Sequence, residues 1–116
     1  MKLRFAHASL LAAASAAVFL FSTAAGAAVD EDAAKATAKR NDCFKCHAVD
    51  KTKKGPSYKK IADKFKGKAD AEEKIIKNIT YGSKVKLEDG TEEDHKIIDT
   101  KDKAEIKNLI DWILSR

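Results

Sequence analysis

The chain has 116 residues, 35% of them charged, a formal net charge of +5 and two cysteines. That length is enough for one small domain and not for two, and two cysteines cannot build a disulfide-dense scaffold. The excess of bases shrinks once Lys2 and Arg4 are set apart with the leader described next, so the charge balance gives no ground for a nucleic-acid partner.

Met1-Lys2-Leu3-Arg4, an apolar run from Ala8 to Phe21 and small residues from Ala24 to Ala28 read as a secretory signal peptide. Ala25 and Ala27 satisfy an A-x-A cleavage rule, which divides the chain into a leader, 1–27, and a mature domain, 28–116; cleavage one residue later fits nearly as well. The strongly apolar part of the leader is short for a bilayer span. Export to the periplasm without stable membrane insertion after cleavage is therefore expected, with a retained anchor as the alternative. So small a mature domain needs a staple beyond its own core.

From Asp30 to Asp42 acids lead, alanines fill the middle and Lys39-Arg40 close, the charge order of a short helix aligned with its dipole. Cys43-Phe44-Lys45-Cys46-His47 follows. Thiols at this spacing can add across the two vinyl groups of a haem, and the next residue then lies where its imidazole binds the iron. The pattern has other uses. A structural zinc site needs four ligands, and the chain has no third cysteine. A dithiol redox centre needs a β-branched strand before the first cysteine, where this chain is alanine-rich and charged. A disulfide leaves His47 without a role. Covalent haem is the reading that uses all three residues.

A lysine-rich loop runs to Gly55-Pro56, where a backbone carbonyl can accept the Nδ1 proton of His47; an ordinary turn is the alternative. Ser57 is placed to cap a helix with Tyr58, Ile61, Ala62 and Phe65 on one face, ended by Gly67. Asp70 with Glu73 resembles a capping box opening a helix with Ile75, Ile76 and Ile79, which stops at Tyr81-Gly82. Periodicity is lost from Ser83 to Asp99, around a turn-like Glu88-Asp89-Gly90 and the acidic Glu92-Glu93-Asp94. Thr100 is placed to cap a last helix with a stripe of Ile106, Leu109, Ile110 and Ile113, and Trp112 beside it. No internal repeat and no convincing strand is evident. From Cys43 to Leu87 there are thirteen lysines against five acids, and from Glu88 onward nine acids against five bases, which gives the domain a basic and an acidic side.

With the attachment motif near the mature start, Gly55-Pro56-Ser57-Tyr58-Lys59-Lys60-Ile61-Ala62, Lys66-Gly67-Lys68-Ala69-Asp70-Ala71 and a terminal helix holding Trp112-Ile113-Leu114, the mature chain resembles bacterial class I cytochromes c of the small c551/c552 type. The resemblance implies an all-α fold of about four helices around one covalently bound haem c. By it Cys43 and Cys46 carry the thioethers, His47 is the proximal ligand and the Pro56 carbonyl orients its ring. The family usually supplies a methionine as second axial ligand, in a Met-Pro segment before the last helix, but no methionine follows Met1. Aligning Thr100 to Asp102 with the family's Ser-x-Asp puts His95-Lys96 at that place. His95 is therefore the expected distal ligand; a lysine such as Lys84 or Lys96, or an open sixth position, is the alternative.

Imidazole donates more strongly to iron than thioether, so a low reduction potential is expected, lowered further by the carboxylates of Glu92, Glu93 and Asp94. The function implied is that of a periplasmic electron carrier rather than an enzyme. Lysines between Cys43 and Lys60 would dock an acidic redox partner, with no nucleic acid involved. Two alternatives stand beside it: a small-ligand or gas-binding haem protein with an open or displaceable sixth site, and an electron-transfer subunit of a larger oxidoreductase.

Overall fold

The computed structural model describes residues 28–116; the signal-peptide reading of 1–27 lies outside the described residues. The first helix, α1 (Glu31–Arg40), begins where the Asp30 side chain accepts a hydrogen bond from the Ala33 N–H, 2.9 Å away. Asn41 closes it and Asp42, with φ +57°, bends the chain left-handed into a single turn, α2 (Cys43–Cys46). Helix α3 (Tyr58–Phe65) starts at Ser57, whose hydroxyl accepts from the Lys60 N–H at 3.0 Å as the sequence suggests. Helix α4 (Ala71–Tyr81) ends at Gly82, φ +65°, and α5 (Lys103–Leu114) runs to the end of the chain.

Of the two other expected caps, one makes no capping bond and one is replaced. Asp70 sits at the N-cap position of α4 but makes no capping bond; its carboxylate pairs with Lys74 one turn on, at 2.7 Å. At α5 the cap is Asp102, which accepts from the Ala104 and Glu105 N–H groups at 2.9 and 3.3 Å, while Thr100 accepts from the Asp102 N–H. An aspartate two residues nearer the helix reaches the orphan donors that Thr100 cannot.

The core forms where α1 and α3 pack on α5. Ala34 and Ala38 are fully buried, and their small side chains let α5 approach closely enough to seat Leu109, Trp112 and Ile113 between the helices. Burial of an aliphatic side chain such as Leu109 stabilises the fold by about 1.5–3 kcal/mol. Trp112 is inside this cluster, not merely beside the α5 stripe, and its ring meets Tyr58 edge-on at 5.2 Å. Asn108 ties α5 to the start of α1, exchanging hydrogen bonds of 2.8 Å with both backbone groups of Asp30.

The aperiodic stretch contains an element the sequence reading lacks. Strands β1 (Lys84–Lys86) and β2 (Glu92–Asp94) pair antiparallel, with Lys84 opposite Asp94 and Lys86 opposite Glu92. The turn between them is the expected one, with Gly90 at φ +85° and the Asp89 carboxylate accepting from the backbone and hydroxyl of Thr91. Opposite charges across the ladder stabilise a ribbon too short and too polar to show an apolar alternation. The Glu88 N–H donating to the Lys54 carbonyl at 3.2 Å joins it to the loop after His47. The architecture is otherwise all-α. No helix among the described residues is long and apolar enough to cross a membrane.

Candidate haem site

The left-handed residue Asp42 turns α1 into the one-turn α2, which places Cys43 and Cys46 as half-buried free thiols beside Phe44 and the Tyr58–Trp112 pair. Burial pushes the Cys43 thiol above its ordinary value. His47 leaves the turn in extended conformation, its N–H donating to the Cys43 carbonyl at 2.9 Å. The loop after it folds back so that the Gly55 N–H donates to the Cys46 carbonyl at 2.8 Å and the Pro56 carbonyl lies 2.6 Å from His47 Nδ1. A carbonyl oxygen only accepts, so the proton resides on Nδ1 and the lone pair on Nε2, the tautomer that binds a metal.

Two further contacts hold this ring. Tyr58 stacks on it, with centroids 5.4 Å apart and planes 26° from parallel. Gly55 lies against its edge: a Cβ there would stand 3.0 Å from His47 Cε1 and 3.3 Å from Nδ1. Burial depresses the His47 pKa, opposed by the bond to Pro56, and so favours the neutral imidazole that ligation requires.

The facing side comes from the hairpin. As β2 ends, the His95 N–H donates to the Ser83 carbonyl at 2.9 Å, and Ile98 donates to the Ile79 carbonyl at 2.8 Å, which lays residues 95–98 along the end of α4. His95 Nδ1 is 2.9 Å from the Lys96 carbonyl, so its lone pair too is on Nε2. The His47 and His95 ring centroids lie 6.2 Å apart, with the planes tilted at 39°. Two metal–imidazole bonds of about 2.0 Å, with the distance from each nitrogen to its ring centre, come to about 6.3 Å, a value close to the centroid separation. The two candidate lysines are engaged elsewhere: Lys84 Nζ lies 3.1 Å from Asp94, and Lys96 Nζ 2.7 Å from Asp42. Glu92, Glu93 and Asp94 are exposed on the hairpin.

The structure thus brings together Cys43, Cys46, His47, Pro56 and His95. Sequence reasoning missed Tyr58 as the ring partner of His47, Gly55 as its edge support and Asp42 as the partner of Lys96. For the first two the signal was present, since both flank the Pro56-Ser57 step that the reading singled out. Asp42 carries no such signal, because its partner is 54 positions away.

The family model for cytochrome c matches residues 31–116. Over 45 residues the chain is 44% identical to a cytochrome c-551 of Pseudomonas aeruginosa and 33% identical to a cytochrome c-551 of Allochromatium vinosum. Each match takes in 39% of this chain, and they span 43% and 48% of those relatives, a little under half their length. Among solved structures, the class 1 cytochrome MtoD from Sideroxydans lithotrophicus ES-1 superposes with a TM-score of 0.72 at 62% identity, covering 76% of this chain and 97% of that one. Wild-type cytochrome c552 of Nitrosomonas europaea gives a TM-score of 0.56 at 32% identity, covering 70% of this chain and 96% of that one. Joined to the paired thiols and the all-α fold, these matches show that the chain belongs to the cytochrome c family, as a class I member with one covalently bound haem c.

Proposed function

We propose that this protein is an electron carrier of the periplasm, exported by the leader 1–27, whose iron is held by two histidines. In this reading Cys43 and Cys46 form the thioether links, His47 is the proximal ligand with its ring set by the Pro56 carbonyl, and His95 is the distal ligand. The haem supplies a one-electron couple. The protein's part is to hold both imidazoles in the ligating tautomer, to exclude exchangeable ligands and to dock.

One observation carries the reading: two imidazoles, each with Nδ1 against a backbone carbonyl, lie with their centroids 6.2 Å apart. With the sixth position filled, the iron has no vacancy for a substrate, which favours a carrier over a gas binder or an enzyme. Two imidazoles also set the potential below that of methionine-ligated family members, because thioether ligation raises it. Docking is assigned to the exposed lysines 51, 54, 59 and 60 around the attachment motif, facing an acidic redox partner. Electron transfer then slows as ionic strength rises.

The test is the electron paramagnetic resonance spectrum of the ferric holoprotein beside that of His95→Ala. A low-spin bis-imidazole signal that disappears in the variant supports the assignment. A high-spin wild-type signal, or a low-spin signal unchanged in the variant, overturns it and redirects attention to gas binding or to a lysine ligand.

A further inference from the structure

The segment that carries His95 is held to the attachment motif at both ends by two consecutive residues. At its far end the buried Asn41 side chain accepts from the Asp99 N–H at 2.8 Å and donates to the Asp99 carboxylate at 3.1 Å. At its near end the Asp42 carboxylate takes Lys96 Nζ at 2.7 Å with one oxygen and Lys45 Nζ at 3.2 Å with the other. Lys96 is also the residue whose carbonyl accepts the His95 Nδ1 proton. A continuous chain of contacts therefore runs from the residue before Cys43, through the side chain and then the backbone of Lys96, to the imidazole of His95.

The backbone gives a second reason to single out Asp42. Its φ of +57° is a left-handed conformation that costs a side chain steric strain and that glycine adopts freely. Aspartate is among the few other residues that tolerate it. A position that suits glycine, occupied instead by a residue whose carboxylate spans to the distal loop, points to a role for that carboxylate.

We infer that Asp42 is a positioning residue: through its ion pair with Lys96 it holds His95 over the iron and slows exchange of the sixth ligand. The inference rests on His95 being that ligand. Because the Asn41–Asp99 clamp remains when the pair is broken, the loss should loosen the distal loop without unfolding the domain. Lys45 is not part of the path to His95, and removing it leaves the Lys96 contact in place.

The experiment follows cyanide binding to the ferric holoprotein at low salt in wild type, Asp42→Asn, Lys96→Gln, the double variant and Lys45→Gln. Asparagine keeps the shape and the left-handed tolerance of Asp42 while removing its charge. Expected is a two- to fivefold faster replacement of the sixth ligand in each single variant, about the factor that an exposed ion pair carries. The double variant should gain no more, Lys45→Gln should match wild type, and melting temperatures should stay close together. Rates equal to wild type in both single variants, or effects that multiply in the double variant, overturn the inference. Should Asp42→Asn fail to mature, Lys96→Gln alone carries the test from the other side of the pair. His95→Ala separates the two levels. If it keeps the low-spin spectrum, the ligand assignment fails and the inference with it; if it loses the spectrum while the pair variants match wild type, the positioning role alone is wrong.

Discussion

Replacing Gly55 by alanine tests how tightly His47 is seated. The backbone there is not left-handed, so alanine meets no conformational barrier, and fewer accessible unfolded conformations would by themselves stabilise the variant by about 0.4–1 kcal/mol. Space sets the opposite sign. The added methyl carbon would lie 3.0 Å from His47 Cε1, 3.3 Å from Nδ1 and 3.4 Å from the Cys46 carbonyl oxygen. The ring cannot simply retreat, because Tyr58 stacks on it and Pro56 binds its Nδ1 at 2.6 Å. Overpacking of this kind costs about 1–3 kcal/mol. A net loss of about 1–2 kcal/mol follows, seen as a fall in melting temperature of about 5–15 °C for a domain of this size. The assay is thermal unfolding of the holoprotein, read with its ferric spectrum, since under the proposed ligation a displaced His47 ring also alters the iron's ligand field. A variant at least as stable as wild type with an unchanged spectrum would refute the claim that Gly55 is required by the imidazole beside it.

Asp102→Ala should destabilise the domain by about 1 kcal/mol through the two amide groups it caps, and Thr100→Ala by clearly less; chemical denaturation that ranks them the other way would restore Thr100 as the cap. Arg40 holds the carboxyls of Asp99 and Glu105 below their ordinary values of 3.8 and 4.5, chiefly through hydrogen bonds. Carboxyls depressed by folding bind protons more readily unfolded, so their contribution is complete above about pH 4.5 and is lost as pH falls through the lower folded values. Melting temperature should therefore depend less steeply on pH below 4.5 in Arg40→Gln than in wild type, and an unchanged slope would count against the network.

The parts of the molecule that follow from local chemistry were legible in the sequence. The spacing of Cys43, Cys46 and His47 needs no tertiary information, and the stripes through Tyr58, Ile75 and Leu109 emerged as buried faces because helical periodicity is a local property. His95 was singled out only by aligning the start of the last helix, Thr100 to Asp102, with the family pattern, since nothing around it is periodic. The short ribbon that delivers it was missed for a related reason. Three-residue strands of alternating or uniform charge carry no apolar pattern, and the available clue was the placing of Lys84 and Lys86 opposite Asp94 and Glu92 about an Asp-Gly turn. The cap at Thr100 was misplaced by two residues because several polar residues compete for that helix start, and Asp70, rightly placed at the N-cap of α4, turns its carboxylate to Lys74 instead of the helix amides. The Asp42–Lys96 contact joins residues that only the completed fold brings together.

The chain has a single tryptophan, fully buried, whose ring lies 5.2 Å from Tyr58 and 6.4 Å from Phe44, between the two motif cysteines in sequence. Haem absorbs where indole emits, so Trp112 fluorescence is dark while α5 stays packed against the attachment motif and brightens when the helix departs. Visible absorbance instead follows the bonds at the iron. The two optical signals, recorded on one unlabelled sample, distinguish a change of ligand at the iron from collapse of the helical core.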